Sequence, residues 1–381
     1  RELGVYCEIV SHKRIKNQDI DNSIIGINDV LVEVMSSFYS PGTEEASAKK
    51  ISESLIKKSF RFRDQVVELI AKGDLNTLYK KFKNQNSTKL PTGYSLFGKI
   101  LDTGNNVKNL RTGQYVVCLG DKANHGSVAI VPQGMAFPCD NNINYSCISL
   151  LSIALNSVLI GNFNSFSNIL VLGGGLLGQF IIQILSSMGH NVSVVEIRDE
   201  LRKTSCNNGA NQFFELDDYK LYENEFDGVI STLPSLTQKM WEDVATMLKI
   251  SSNFILVGAA DINISRKIFY SKRLNFLTAY SYGSGRGEFE YEQLANHHFT
   301  NYKSGPSIKT LVNKGLKLLK ENKVKIDFID KIDMQTLDGN LDSSIRKRKL
   351  GFNFIWSNNE ENKFLESLNL LNKEKNINQK Y

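Results

Sequence analysis

The pattern of hydrophobic positions changes near residue 168. From Val5 to Glu33, and again from Tyr94 to Pro138, apolar and polar residues alternate in short runs, as in strands that bury one face. After Asn168, short and nearly all-apolar runs alternate with longer amphipathic segments, which is typical of parallel strands covered by helices on both faces. The sequence therefore predicts an α/β protein in which a β domain precedes a doubly wound parallel domain.

The spacing in the second domain is regular enough to predict individual elements. Strands are predicted at Ile169–Leu172, Val192–Glu196, Gln212–Phe214, Gly228–Ser231, Phe254–Val257 and Phe276–Tyr280. Helices are predicted between them at Gln179–Met188, Glu200–Asn207 and Gln238–Leu248. Further helices are predicted at Ser146–Ile160, which leads out of the first domain, and at Ile308–Leu319.

A basic segment interrupts the first domain. Apolar residues recur at three- and four-residue intervals over residues 46–90, and this spacing predicts a helical insertion. Between Lys49 and Lys89, eleven Lys or Arg residues stand against four acidic ones, while the whole chain carries a net charge of +6. Such a surface would attract an anionic substrate or an acidic partner. A solvated helix face without any binding role would show the same charge pattern. No nucleic-acid reading motif accompanies it, so nucleic acid is not an expected partner.

Cysteine usage and hydropathy indicate the compartment. The five cysteines are scattered and include no CxxC pair, so neither a disulfide framework nor a structural zinc site is expected. We find no apolar run of about 18 residues and no charged-then-apolar leader. A cytoplasmic protein without a membrane-spanning helix is therefore expected.

Three glycines stand between an apolar strand and an apolar helix in ILVLGGGLLGQFIIQIL. Gly173, Gly175 and Gly178 have G-x-G-x-x-G spacing, which permits a tight turn, close approach of a pyrophosphate and close packing of helix on strand. Leu176 and Leu177 open the helix, whose free N–H groups favour a phosphate. The motif predicts a dinucleotide site, although structural turns also use this spacing.

The second strand of this domain ends on Glu196, 23 positions after Gly173. A carboxylate at this place accepts the ribose hydroxyls of NAD and repels the additional phosphate of NADP. NAD is therefore the favoured cofactor, while Arg198 could hold a 2′-phosphate and keeps NADP as the alternative. Glu196 could also be a solvated strand end.

Several longer stretches resemble the medium-chain dehydrogenase/reductase family. They are VEVMSSFYSPGTE, GYSLFGKILDTGNNVKNLRTGQYVVCLG, ANHGSVAIVP and AYSYGSGRGEFEYE. Together with the insertion, they are similar to the dehydrogenase half of the bi-domain oxidoreductases found in bacterial surface-polysaccharide gene sets. The resemblance extends from about Val5 to Trp356.

This resemblance implies a GroES-like substrate domain at residues 1–155, with its helical insertion at 46–90. The resemblance then implies a Rossmann domain at 156–290, followed by a return segment at 291–358 that completes the first domain. A tail at 359–381 ends the chain. Homodimers are common among such relatives, so a homodimer is expected. A separately encoded oxidoreductase module is a further candidate partner, because the second half of the bi-domain proteins is missing here.

The resemblance also implies that catalytic zinc is absent. Zinc-dependent members place Cys, His-Glu and a further Cys or Asp at three positions, a ligand set that suits a catalytic zinc. The corresponding positions here are Ser40, Tyr94-Ser95 and the run Leu150–Ser152. Hydroxyl groups are poor zinc ligands, so no metal is expected.

Candidate residues follow from the same comparison. A hydroxyl or imidazole near the nicotinamide would polarise or protonate the substrate without zinc. Tyr94 is the first candidate for this role and His125 is the second. Ser40, on the facing loop, is a further catalytic candidate. A half-buried tyrosine and a structural histidine are the plain alternatives. Further cofactor contacts are implied for Thr232, Gly258, Ala259 and Arg286, and substrate contacts for Tyr39, Thr43 and Tyr282.

The expected function is hydride transfer between NAD(P) and a small polar alcohol or carbonyl, with a sugar or nucleotide-sugar as the natural guess. One alternative is a quinone or enoyl type of double-bond reductase. The other is a catalytically silent subunit that binds the dinucleotide without turnover.

Overall fold

A computed structural model describes residues 2–11, 14–21, 25–42, 92–215, 222–258, 265–279, 281–297, 305–334, 341–342 and 350–356. The predicted helical insertion at 46–90 and the predicted tail at 359–381 lie outside these residues. Thr43 and Ala259, two of the candidate site residues, lie outside them as well.

Antiparallel strands form the first domain. In chain order they are β1 (Glu2–Ser11), β2 (Arg14–Asp21), β3 (Asp29–Tyr39), β4 (Ser95–Thr103), β5 (Tyr115–Leu119), β6 (Val128–Pro132) and β7 (Ala136–Pro138). Strands β3, β4, β5 and β7 are neighbours in that order and β6 pairs with β3, while β1 and β2 pair with each other. A 3-10 helix at Ile143–Cys147 then leads into α1 (Ile148–Gly161).

A six-stranded parallel sheet forms the second domain. Its strands are β8 (Asn168–Leu172), β9 (Asn191–Val195), β10 (Gln212–Phe214), β11 (Phe226–Ser231), β12 (Leu248–Leu256) and β13 (Asn275–Thr278). Their spatial order is β10-β9-β8-β11-β12-β13. The order changes direction between β8 and β11, where sheets of this kind bind ligands at the carboxyl ends of their strands. The predicted doubly wound Rossmann architecture is confirmed.

Helices connect and flank these strands. They are α2 (Leu176–Ser187), α3 (Arg202–Asn207), α4 (Gln238–Met247), α5 (Arg266–Lys272), α6 (Phe289–Glu292) and α7 (Ile308–Lys320). Three of them begin after a Ser or Thr whose side chain accepts a hydrogen bond from a first-turn N–H, namely Thr237, Ser265 and Ser307. Such caps satisfy donors that have no partner inside the helix.

The C-terminal part of the chain returns to the first domain. It supplies β14 (Asp330–Asp333), β15 (Leu341–Asp342) and β16 (Phe352–Ile355). Strand β16 lies between β14 and β3, with Phe352 opposite Tyr39. The return expected from the family resemblance is therefore present, while the numerical domain boundaries remain predictions.

The predicted elements differ from the structure mainly where polar residues enter them. Strand β12 begins at Leu248 instead of the predicted Phe254, because its first half contains the exposed residues Lys249, Ile250 and Ser251. Helices α5 and α6 were not predicted, and no residue of α5 is buried. Hydrophobic spacing reports burial, so it does not detect elements that remain on the surface.

One segment meets the length and composition required of a membrane-spanning helix. Ile143–Gly161 is apolar over that length, so the prediction that no such run exists was wrong. Within the fold, however, 72% of the segment is buried. It packs as the core helix between the two sheets, and an apolar helix in that position needs no membrane.

A buried polar network attaches the start of α1 to the first domain. Ser95 Oγ donates to the Ser146 carbonyl and accepts from the Ser149 N–H at 3.1 Å. Ser146 Oγ donates to Asn353 Oδ1 at 2.9 Å, and Asn353 Nδ2 donates to the Ile143 carbonyl at 3.2 Å. Because buried polar groups are costly when unpaired, this network fixes how α1 joins the strands.

Replacing Asn353 by Ala tests the network. The change leaves the enclosed Ser146 hydroxyl without its acceptor, so the free energy of unfolding is expected to fall by about 1–3 kcal/mol. Urea denaturation measures the loss. The control Asn275→Ala removes exposed side-chain hydrogen bonds and should change stability by about 0.5 kcal/mol or less. Equal effects of the two variants would contradict a stabilising role for the network.

Candidate functional site

The glycine turn joins β8 directly to α2. Gly173 has a φ of +95°, a left-handed conformation that favours glycine. A Cβ atom on Gly178 would collide with the Gly173 carbonyl group. Gly175 is the N-cap of α2, so the free N–H groups of the first helical turn face the space above the carboxyl end of the sheet.

Glu196 follows β9 and is bound to this turn. Its Oε2 atom accepts a hydrogen bond from the Gly174 N–H at 2.9 Å. Its Oε1 atom accepts from the backbone N–H groups of Ile197 and Arg198, at 2.9 and 3.1 Å. Glu196 is therefore a buried carboxylate on the glycine turn, and the alternative of a solvated strand end is excluded by its exposure of 6%.

Arg198 lies across the same turn. Its Nε and Nη2 atoms donate to the two oxygens of Glu196 at 3.1 and 2.9 Å. Nη2 also lies 3.4 Å from where a Cβ atom on Gly175 would stand. A ribose that approaches Glu196 must therefore meet the guanidinium group of Arg198, whose side chain is 42% exposed.

Opposing effects act on the pKa of Glu196. Burial raises this pKa, while hydrogen bonds and charge attraction from Arg198, together with two backbone N–H groups, lower it. The lowering effects are larger in total, so the pKa of Glu196 lies below its ordinary value of 4.5. The carboxylate is consequently ionised at neutral pH and can accept further hydrogen bonds.

The ends of the neighbouring strands lie beside the glycine turn. Thr232 follows β11, and its Oγ1 donates toward the carbonyl groups of Leu172 and Gly173 at 3.1 and 3.2 Å. Gly258 follows β12 and packs on the backbone of residues 232–233. The structure thus brings Gly173, Thr232 and Gly258 together at adjacent strand ends, and their contacts with a cofactor remain predictions.

Helix α2 also brings the end of β3 close to the glycine turn. A Cβ atom on Gly351 would lie 2.9 Å both from the Tyr39 carbonyl oxygen and from a side-chain carbon of Leu176. The rings of Phe38 and Phe180 lie 6.4 Å apart. The end of β3, which carries Tyr39 and Ser40, therefore packs on the first turns of α2, and Ser40 is buried there.

The other candidates for the reaction centre surround this position. The ring of the fully buried His125 is 6.0 Å from that of Tyr39, and a Cβ atom on Gly93 would lie 3.0 Å from the His125 ring. Tyr94 follows, and its carbonyl accepts from the Gly120 N–H at 3.1 Å. The Tyr282 hydroxyl is near the same glycine, 3.4 Å from its Cβ position. Their roles remain predictions.

Arg286 makes its contacts at the junction of the two domains. Its guanidinium carbon lies 5.2 Å from the Tyr282 ring centroid, and its Nη1 donates to Ser281 Oγ at 2.9 Å. Its Nη2 is 3.5 Å from Asp121 of the first domain. Within the described residues, the arginine that touches the glycine turn is Arg198, and the predicted pyrophosphate contact of Arg286 remains untested.

The donor set at the position of catalytic zinc does not fit that metal. The hydroxyl of Ser95 is already used in hydrogen bonds to Ser146 and Ser149, and the Ser149 hydroxyl donates to the Tyr94 carbonyl at 2.8 Å. In the described part of the chain, no three His, Cys, Asp or Glu side chains come together as a metal site would require. We derive no metal-dependent step.

Gln179 is a site residue that the sequence reasoning missed. Its Nε2 atom donates to the Gly174 carbonyl at 2.7 Å and to Ser205 Oγ at 2.9 Å, and its side chain is fully buried. These bonds hold the middle of the glycine turn from the helix side. An amide directly after Gly178, in the first turn of a mostly apolar helix, was the available signal.

Comparison with solved structures identifies the fold. CAD from Helicobacter pylori, in complex with NADP(H), is 15% identical, with 92% of this chain and 97% of that chain covered and a TM-score of 0.64. Galactitol-1-phosphate dehydrogenase from Escherichia coli is 13% identical over 93% and 100%, with a TM-score of 0.62. An alcohol dehydrogenase from E. coli with bound NADH is 12% identical over 93% and 100%, with a TM-score of 0.63. Neither a protein-family model nor a curated protein matches the sequence.

These similarities concern the entire described architecture. This chain combines the first domain, the parallel sheet and the returning strands in the same way as its structural neighbours, which have the medium-chain dehydrogenase fold. At such low sequence identity, the similarity establishes the fold. The chemistry of this chain depends on its own residues.

Replacing Glu196 by Gln tests the buried carboxylate. Its lowered pKa means that it stabilises the folded protein above pH 4.5 and that this contribution is lost as the pH falls through the folded-state pKa. The variant should therefore be less stable than the wild type at neutral pH, on the order of 1–2 kcal/mol. The difference should shrink in more acidic solution, as measured by urea denaturation over a pH series. The control is Glu225→Gln, which changes an exposed carboxylate. If the loss of stability in Glu196→Gln did not depend on pH, Glu196 would not be a stabilising ionised carboxylate.

Proposed function

We propose that this chain is an oxidoreductase that binds a nicotinamide dinucleotide and transfers hydride to or from a small polar alcohol or carbonyl. One observation supports it above all: the Gly173–Gly178 turn opens α2 at the switch point of a parallel sheet, with the ionised Glu196 bound to it. This combination suits a diphosphate with a ribose beside it. The complexes of the structural neighbours with NADP(H) and NADH agree with this proposal.

We propose NAD as the preferred cofactor. An ionised Glu196 accepts hydroxyl donors and repels a 2′-phosphate, and the lowered pKa supports this choice. The bidentate Arg198 partly neutralises that repulsion, since it donates to both carboxylate oxygens. NADP therefore remains the second candidate. The difference in affinity between NAD and NADP should be smaller than at a site whose carboxylate has no arginine partner.

The proposed chemistry assigns the proton to Tyr94. When bound, the nicotinamide donates or accepts the hydride. In the direction of reduction, the Tyr94 hydroxyl would give its proton to the carbonyl oxygen as the C–H bond forms, and in oxidation it would take the proton back. His125 and Ser40 would bind the same oxygen. The proximity of Gly93 and Tyr39 to His125, with the Tyr39 carbonyl near Leu176, supports this arrangement.

We propose that the reaction proceeds without catalytic zinc. At one of the ligand positions, the hydroxyl of Ser95 already serves the buried network, which supports a different means of polarising the substrate. Sugar-related substrates are the natural class. A galactitol-1-phosphate dehydrogenase and an L-idonate 5-dehydrogenase are among the structural neighbours, and the sequence resembles proteins of polysaccharide gene sets.

We further propose a cytoplasmic homodimer that forms through the edge strand β13. This strand ends the parallel sheet, and the nearby side chains of Phe269 and Tyr270 are 41% and 73% exposed. An edge strand with apolar neighbours favours pairing with a second copy. A separate oxidoreductase module is a further candidate partner.

Replacing Gly178 by Ala tests cofactor binding. The added methyl group meets the Gly173 carbonyl and forces α2 away from β8, so the affinity for NADH should fall about tenfold or more, the effect of misplacing the phosphate-binding turn. Fluorescence titration with NADH and NADPH measures the affinity. The wild type should bind NADH more tightly than NADPH. Ser187→Ala, at the exposed end of α2, is the control. Absence of binding to either nucleotide by the wild type would end the proposal.

Replacing Tyr94 by Phe tests the proton donor. The rate of carbonyl reduction should fall by about 10²–10⁴-fold, the usual contribution of a positioned acid, while NADH affinity stays unchanged. Steady-state assays with sugar aldehydes, ketoses and keto nucleotide-sugars measure the effect. Tyr115→Phe, which alters a ring stacked on Phe97, is the control. Turnover restricted to quinones or enoyl thioesters would favour a double-bond reductase.

A further inference from the structure

The carboxylate of Glu196 is already surrounded by hydrogen-bond donors. Its Oε1 atom accepts from the N–H groups of Ile197 and Arg198 at 2.9 and 3.1 Å, and from Arg198 Nε at 3.1 Å. Its Oε2 atom accepts from the Gly174 N–H and from Arg198 Nη2, both at 2.9 Å. A carboxylate offers about four lone-pair positions. These five donors therefore fill the positions that the hydroxyl groups of a ribose would need.

The backbone donors cannot leave Glu196 without a movement of the main chain. The N–H groups of Ile197 and Arg198 belong to the residues directly after the carboxylate. The Gly174 N–H belongs to the glycine turn, and the carbonyl of Gly174 accepts from the buried Gln179 Nε2 at 2.7 Å. The architecture that forms the turn therefore also fixes these backbone donors on Glu196.

The guanidinium group of Arg198 is the donor that can leave. Among the described residues, its side-chain hydrogen bonds go to Glu196 alone, and the Arg198 side chain is 42% exposed. Rotation toward solvent therefore breaks contacts with a single residue, and an ion pair at such an exposed place contributes little to stability. The same rotation clears the space beside Gly175, where Nη2 lies 3.4 Å from the position of a Cβ atom.

We propose that Arg198 determines cofactor selectivity by competing with the ribose hydroxyl groups for Glu196. In the free protein, the guanidinium occupies both carboxylate oxygens. Glu196 can accept further hydrogen bonds once this group has left, and the ribose hydroxyl groups of NADH then donate to the oxygens in its place. This inference rests on the proposed function, which assigns a dinucleotide to the glycine turn.

The two nucleotides differ in what they offer the released guanidinium. The 2′-phosphate of NADPH accepts from it, because the planar group of arginine binds phosphate with two parallel N–H bonds. NADH carries a hydroxyl group at that position, which donates to Glu196 and leaves the guanidinium in solvent. Arg198 therefore lowers the affinity for NADH and raises the affinity for NADPH. Its removal should change the two affinities in opposite directions.

Replacing Arg198 by Met tests the competition, because Met keeps most of the side-chain length and donates no hydrogen bond. The affinity for NADH should rise about two- to fivefold, which corresponds to the usual strength of a partly exposed ion pair. The affinity for NADPH should fall about tenfold or more, because a charge-assisted contact with phosphate is lost. Fluorescence titration of the full chain with each nucleotide measures both affinities. An unchanged or lower affinity for NADH would overturn the proposal.

Arg202 offers a matched control, four positions further along the chain. Its side chain is 44% exposed, and its guanidinium binds two other carboxylates. Arg202→Met removes the same charge without a change at Glu196, so it should shift the affinities for NADH and NADPH in the same direction. Arg198→Lys keeps the charge and loses the planar pair of donors, so its effects should be smaller than those of Arg198→Met. Opposite shifts in Arg202→Met would refute the competition, because loss of charge alone would then explain them.

Nuclear magnetic resonance follows the guanidinium directly in protein labelled with ¹⁵N at arginine. The Arg198 Nε–H signal, assigned by its absence in Arg198→Met, should exchange slowly with water in the free protein and should shift in Glu196→Gln. Saturating NADH should accelerate this exchange, since the group then faces solvent. Slow exchange that persists with NADH bound would overturn the proposal.

The two readouts separate this inference from the proposed function. A wild type that binds neither nucleotide would remove the proposed function and the selectivity together, while slow exchange of the Arg198 Nε–H in the free protein would still establish its pairing with Glu196. A wild type that binds NADH, with an affinity that Arg198→Met does not raise, would refute the competition alone.

Discussion

The close contact between Gly178 and the Gly173 carbonyl is the constraint on which the rest of the architecture depends. It leaves no space for a side chain and sets the start of α2 directly on the end of β8. From this anchored start, the helix makes successive contacts with the other domain, through Leu176 to Gly351, Phe180 to Phe38, and Gln183 to the backbone of Lys325. One helix thus forms the glycine turn at its N-terminus and the domain interface along its side.

The two halves of the site rest on different kinds of polar interaction. At the glycine turn, Glu196 and Arg198 form an ion pair that is partly open to solvent, so its strength depends on pH and ionic strength. In the first domain, serine hydroxyls and the Asn353 amide form enclosed neutral hydrogen bonds. Such neutral networks respond little to salt, and the Ser149 hydroxyl extends this one to the backbone of Tyr94.

The sequence could predict those parts of the fold that arise from local rules. Strands such as Ile169–Leu172 are buried on both faces and therefore appear as apolar runs, and the glycine turn has a fixed spacing. The position of Glu196 near the glycine turn could be predicted, because it ends the next strand 23 positions after Gly173. Other features depend on residues far apart in the chain. The contact of Trp356 with Ser37 crosses more than 300 positions, and no local pattern encodes it.

The position of β16 between β14 and β3 determines the order in which the protein can be assembled during translation. The six parallel strands come from one continuous stretch, residues 168–278, so this sheet can form as soon as that stretch has left the ribosome. The antiparallel sheet is completed only when Phe352–Ile355 has been made. The half of β3 that β16 will cover, from Ser36 to Tyr39, stays unpaired on that side throughout synthesis of the second domain, while β6 covers the other half. A chaperone or an early partner would have access to it during that time.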